Sequence, residues 1–198
     1  NRAGRAYYQE SRELISNQEY DELYDELQRL ETETGIVLAN SPTVHVGYEV
    51  ISNLPKEQHP SPMLSLDKTK EVGALESWLG DKEGLLSWKL DGLTIVLTYQ
   101  DGKLSKAVTR GDGITGEVIT SNARVFDNIP LQIPQKDRLV VRGEAVITYA
   151  DFEEINKTIG DADAKYKNPR NLCSGTVRQL NNEITAQRHV KFYAFSLA

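Results

Sequence analysis

Asp101-Gly102 constrains the fold most. The pair sits between two apolar runs of strand character, Leu93 to Tyr99 and Leu104 to Thr109. Asp-Gly suits the two central positions of a tight hairpin turn, whose twist matches that of the strands it joins. The two runs are therefore expected to be antiparallel neighbours. Further strands are predicted at Leu85 to Leu90, at Leu139 to Ile147 with an interruption at Gly143, and at Val190 to Phe195. Helical spacing is found at Val72 to Trp78, Glu117 to Ala123, Tyr149 to Thr158 and Asn171 to Leu180. The expected class is α+β, with a mainly antiparallel sheet.

The first 35 residues have a different character. Ser16 and Glu19 form a capping-box pair, and Tyr20, Leu23, Tyr24, Leu27 and Leu30 follow at helical spacing until Gly35. Residues 1–38 are expected to form a small helical hairpin subdomain, residues 39–62 a linker rich in Pro, Ser and Gly, and residues 63–198 a second domain. Residues 1–35 carry nine acids and four arginines, whereas 165–191 carry six basic residues and one acid, Glu183. The net charge of -6 argues against a protein that coats nucleic acid over its whole surface, although the basic stretch is suited to phosphates. A single cysteine, Cys173, excludes a disulfide framework within the chain and fits a reducing cytoplasm. No run of about 18 apolar residues suggests a membrane span.

Three features carry chemistry. Lys89 ends an apolar run and enters Asp91-Gly92. An amine in partly apolar surroundings is more readily a free nucleophile, and a glycine beside it lets backbone approach a ligand. Strand alternation puts Ser87, Lys89 and Asp91 on one face. Arg142 and Glu144 share a face of another apolar strand, so each must be paired, solvated or part of a site. Asn168-Pro-Arg-Asn171 reads as a loop feeding a helix, with Arg170 and Arg178 available to an anion. Gly111 to Gly116 also satisfies G-x-G-x-x-G, but it follows an antiparallel hairpin and not the first strand of a parallel βαβ unit. It is read instead as a glycine-rich loop bringing Arg110 to a ligand.

In order along the chain, Tyr7-Tyr8, Glu19-Tyr20-Asp21, Ser41-Pro-Thr with Val46-Gly47, Pro62-Met-Leu-Ser-Leu66, Lys89-Leu-Asp-Gly92, Thr109-Arg-Gly-Asp-Gly113, Arg142-Gly-Glu144, Asn168-Pro-Arg-Asn171 and Arg178-Gln-Leu180 resemble the adenylation domain of bacterial NAD-dependent DNA ligases. The resemblance implies a helical subdomain that binds nicotinamide mononucleotide (NMN), followed by an ATP-grasp-like nucleotidyltransferase domain. It implies that Lys89 attacks the α-phosphorus of NAD, releases NMN and carries AMP. The AMP then passes to the 5′-phosphate of nicked double-stranded DNA, and the 3′-hydroxyl seals the strand with Mg2+ as a further cofactor.

Position by position, the resemblance implies that Ser65 and Leu66 line the adenosine pocket together with Ser87 and Leu90, that Arg110 and Glu144 contact the nucleotide, and that Arg170 and Arg178 serve phosphate or DNA backbone. Tyr7, Tyr8, Asn17, Tyr20 and Asp21 would hold NMN, although Tyr20 also lies on the apolar helix stripe. Ser87 stands where many members have glutamate, Asn17 where aspartate is frequent and Tyr8 where some have histidine. No metal ligand set is expected from the chain itself, and the second domain reads as incomplete at its carboxy-terminal end. Two other readings remain: an ATP-dependent ligase or RNA-capping nucleotidyltransferase, which would not be expected to carry the helical hairpin, and a non-catalytic nucleotide- or DNA-binding module.

Overall fold

A computed structural model describes residues 15–34, 43, 53–65, 67–161 and 164–197. Two antiparallel sheets organise the second part of the chain. The larger contains β2 (Leu93–Gln100), β3 (Lys103–Thr109), β5 (Leu139–Val146) and β6 (Lys191–Leu197) in the order β3-β2-β5-β6. The smaller pairs β1 (Lys56–Gln58) with β4 (Thr115–Glu117). The ordered strand β1 thus lies inside the stretch expected to be linker. Asp101 and Gly102 both take left-handed backbone, with φ of 51° and 76°, as the expected tight turn requires.

Alternation along β2 divides the large sheet into two faces. Ile95, Leu97 and Tyr99 are buried on one face, where they pack with Ala145, Leu172, Cys173, Val177, Val190 and Phe192. Each fully buried Ile, Leu or Val side chain of such a core contributes about 1.5 to 3 kcal/mol of transfer free energy. The other face carries Thr94, Val96 and Thr98 beside Arg142 and Glu144, all half-buried.

The helix that crosses the core face has clear local causes. Asn168 accepts from the Asn171 amide at 2.8 Å and Pro169 occupies the first turn, so the helix runs Pro169–Val177. Its buried stripe is Leu172, Cys173, Thr176 and Val177. It ends before the expected Leu180 because the Asn122 side chain donates to the carbonyls of Val177 and Gln179, at 2.9 and 2.8 Å. The helix expected at Glu117 to Ala123 is confined to Thr120–Ala123, because Glu117 pairs with Lys56 in the small sheet.

The strand expected at Leu85 to Leu90 does not form. Strand β2 has β3 on one edge and β5 on the other, and the outer strands β3 and β6 do not pair with this segment either. Leu85, Leu86 and Trp88 are consequently more than 90% exposed. The helix Val72–Leu79 just before this segment also buries none of its residues.

Of the expected helical hairpin, the second helix is described, at Asn17–Thr34; residues 1–14 lie outside the described residues. The capping box is formed as expected. The Ser16 amide donates to Glu19 Oε2 at 2.9 Å, and the Glu19 amide donates to Ser16 Oγ at 3.2 Å. The Ser16 amide, and after it the Ser16 hydroxyl, which also donates to Oε2 at 2.9 Å, hold the Glu19 carboxyl below its ordinary value. The helix meets the rest of the chain through Lys68, which pairs with Asp25 at 2.6 Å and lies 5.3 Å from the Tyr24 ring centroid. No described helix is long and apolar enough to cross a membrane.

Candidate active site

The sequence motifs converge around the start of β2. Gly92 there requires a bare Cα, because a Cβ would sit 1.9 Å from the Ala145 carbonyl oxygen. Its smallness serves the close approach of β2 to β5. That approach lets the Gly92 amide donate to Glu144 Oε1 at 3.1 Å. Thr94, opposite Glu144 in the ladder, donates its hydroxyl to Oε2 at 2.8 Å. Burial pushes the Glu144 carboxyl above its ordinary value, opposed in turn by the Thr94 hydroxyl, the Arg170 charge, the Gly92 amide and the Lys89 charge. A half-buried carboxylate therefore stands within electrostatic reach of both Lys89 and Arg170.

Lys89 itself is exposed, so the apolar surroundings expected around it are absent. Ser87 is exposed beside it and Leu90 is 37% exposed. Two residues on, Asp91 accepts from Arg170 Nη1 at 2.7 Å, a contact that ties the Lys89 segment to the N-terminal turn of helix Pro169–Val177. Asp91 is 62% exposed, which makes this a weak tether.

A second cluster surrounds Arg110. Its Nε donates to the Met63 carbonyl at 3.0 Å and its Nη2 to Ser65 Oγ at 3.2 Å. The Met63 amide in turn donates to the Gly113 carbonyl at 2.8 Å. The Gly111 to Gly116 loop thus holds residues 63–65 in place. Gly111 adopts φ of 57°, and a Cβ there would lie 1.9 Å from the Thr115 carbonyl oxygen, so this glycine serves the turn itself.

Arg178 is engaged elsewhere. Its Nε donates to Glu117 Oε2 at 2.5 Å, and its Nη1 donates to the Ser174 carbonyl and hydroxyl oxygens. Glu117 is 2% exposed, so this is a buried ion pair joining the small sheet to helix Pro169–Val177. Cys173, beneath the site, is fully buried and donates to the Ala145 carbonyl; burial pushes its thiol well above the ordinary range. In the amino-terminal helix, Tyr20 stacks on Tyr24 with centroids 6.4 Å apart, and Asp21 is exposed. Tyr7, Tyr8 and Leu66 lie outside the described residues, as does the side chain of Asn17.

The structure therefore brings together Glu144, Arg170 and the Lys89 segment in one cluster and Ser65 with Arg110 in another. Thr94 has no motif of its own in the sequence; only the β2–β5 register reveals it as the partner of Glu144. Among the described residues no group of three or more His, Cys, Asp or Glu side chains could hold a metal ion. Asp91 is engaged by Arg170, and Glu144 by Thr94 and Gly92.

Comparison with known proteins matches residues 51–198 to the NAD-dependent DNA ligase adenylation domain. The chain belongs to this family. Residues 1–47 match the DNA ligase-like N-terminal NAD+-binding domain. Among its relatives, the DNA ligase of Lachnoclostridium phytofermentans is 70% identical over 195 residues, and that of Ruminiclostridium cellulolyticum is 67% identical over 196. The DNA ligase of Leptospira biflexa is 39% identical over 197 residues. These alignments cover 98%, 99% and 96% of this chain but only 30%, 30% and 29% of the three ligases. The chain thus spans about 30% of the length of these relatives.

Proposed function

We propose that this chain transfers AMP from NAD to its own Lys89 as the first step of DNA ligation. The observation that carries the reading is Lys89 beside a polar cluster: an exposed amine with no ion pair among the described residues, two residues from Asp91 and within reach of the Glu144 charge. In this reaction the Lys89 Nζ lone pair attacks the α-phosphorus of NAD. A P–N bond forms, the P–O bond to NMN breaks, and NMN leaves with the electron pair while the amine releases its proton to solvent. Glu144, fixed by Thr94 and Gly92, accepts hydrogen bonds from the nucleotide. Arg110 orders Ser65 on the adenosine side, and Arg170 supplies positive charge toward phosphate.

Residues 1–38 supply the NMN subdomain, with Tyr7, Tyr8, Asn17, Tyr20 and Asp21 as its contacts. Residues 39–62 form a connector containing β1, and 63–198 belong to the nucleotidyltransferase domain. Leu66, Ser87 and Leu90 complete the adenosine side. Arg178 acts on phosphate or DNA only through the element it braces, given its pairing with Glu117. In the whole protein, AMP passes to the 5′-phosphate of nicked double-stranded DNA and the 3′-hydroxyl displaces it, with Mg2+ neutralising the phosphates. A cytoplasmic enzyme of DNA replication and repair fits this chemistry.

The test is intact mass spectrometry after incubation with NAD or with ATP, each with Mg2+. An increase by one AMP moiety with NAD and none with ATP is expected. Labelling by ATP alone would favour the ATP-dependent alternative.

A further inference from the structure

We infer that His59 is a positioning residue that fixes Arg110, and through it the 63–65 segment proposed to line the adenosine site. The inference rests on that reading of the segment but on geometry of its own. His59 Nε2 lies 3.1 Å from the carbonyl oxygen of Thr109 and 3.1 Å from that of Arg110. Both are acceptors, so Nε2 must carry the hydrogen, and one N–H bridges two consecutive carbonyls.

Those carbonyls lie where β3 ends and the left-handed turn through Gly111 begins. Thr109 is fully buried, so its carbonyl is out of reach of water and depends on a partner within the protein. The backbone of His59 is itself anchored, its amide donating to the Ile114 carbonyl at 2.8 Å in continuation of the β1–β4 pairing. His59 therefore connects three strands at the point where the Arg110 side chain departs. From there Arg110 Nε reaches the Met63 carbonyl and Nη2 reaches Ser65. The Arg110 amide also donates to the Thr94 carbonyl at 2.9 Å and its carbonyl also accepts from the Gly113 amide at 3.0 Å, so release by His59 loosens chiefly the Thr109 carbonyl and the 109–110 peptide that carries it. A small tilt of that peptide at the Arg110 Cα displaces a guanidinium several bonds away by more than a hydrogen bond tolerates.

Three variants of the 198-residue chain test this. Gln places an amide donor at the reach of Nε2, Asn places it one bond short, and Ala removes it. The first readout is the Arg110 Nε–H resonance, whose exchange with solvent is slowed by the bond to Met63. His59→Ala and His59→Asn are expected to speed that exchange about tenfold, the effect of losing one hydrogen bond's net free energy, and His59→Gln to restore it. The second readout is calorimetric affinity for AMP, expected to fall about tenfold in the Ala and Asn variants and to recover in Gln. Circular dichroism verifies folding, and the Gln and Asn pair decides the matter if Ala does not fold. Equal protection of Arg110 Nε–H in the wild type, Asn and Ala chains overturns the inference. Lost protection with unchanged AMP affinity, or no AMP binding by any variant, leaves the clamp standing but removes residues 63–65 from the nucleotide site.

Discussion

The two halves of the site are built differently. Thr94 and Gly92 donate to Glu144, and Arg110 donates to Met63 and Ser65, so both side chains are fixed where strands pair. Around Lys89 the chain joins no sheet, its apolar neighbours face solvent, and an exposed ion pair from Asp91 to Arg170 is its described tether. The contrast teaches that the residues proposed to recognise the nucleotide are fixed in advance by sheet register, while the proposed nucleophile sits on a segment that the described residues hold loosely. On the proposed reading, the fixed half governs binding and the loosely tethered half governs reaction, so perturbing the first should alter affinity and perturbing the second should alter rate.

The largest expected effect lies in the support of the ordered half. Arg178→Met removes the cation from a nearly fully buried Glu117, and breaking one side of such a pair costs about 3 to 5 kcal/mol. Urea unfolding of the two chains measures it. A loss under about 1 kcal/mol would show that the ordered half does not depend on this brace.

Removing residues 1–38 sharpens the comparison next, because it isolates the nucleotidyltransferase part. NAD affinity should fall while AMP affinity holds, by an amount reflecting aromatic contacts worth roughly 0.5 to 2 kcal/mol per well-placed ring. Calorimetry on both forms decides it, and equal losses for NAD and AMP would reduce Tyr20 to a structural residue.

Glu144→Gln tests the electrostatics of the ordered half through pH. Because burial raises the Glu144 value in the folded state, the folded protein holds this proton more tightly than the unfolded chain does. Stability from this group is complete below the ordinary glutamate value of about 4.3 and declines as pH rises through the raised folded value. The Gln variant should lack that decline, so its stability should gain on the wild type as pH rises across that window. Parallel stability profiles would contradict the assignment.

The smallest effect belongs to the open half. Trp88→Ser and Leu86→Ser should each shift stability by no more than about 0.5 kcal/mol, since both side chains are more than 90% exposed. A larger loss would mean that this segment packs in solution.

The same contrast decides what the sequence made legible. The hairpin at Asp101-Gly102, the Ser16–Glu19 capping box and the helix start at Asn168-Pro169 were readable because each is fixed by residues a few positions apart. Glu144 was readable as a polar residue inside an apolar strand that needs a partner. Its partner Thr94 was not, because only the pairing of β2 with β5 brings together residues 50 positions apart. The run from Leu85 to Leu90 misled for the converse reason. Its composition suits a strand, but a strand also needs a partner, and none of the sheet's strands pairs with this run. Gly92 and Gly111 show a further need that spacing does not reveal, since their bare Cα atoms admit neighbouring backbone.

The central claim is that Lys89, alone among the lysines, takes AMP from NAD. The direct measurement is peptide mapping of the chain after incubation with NAD and Mg2+, with Lys89→Ala treated in parallel. The account predicts AMP on the peptide containing Lys89 and on no other, with no adduct in the variant although it still folds and binds AMP. AMP on a different lysine, or an undiminished adduct in Lys89→Ala, would contradict it.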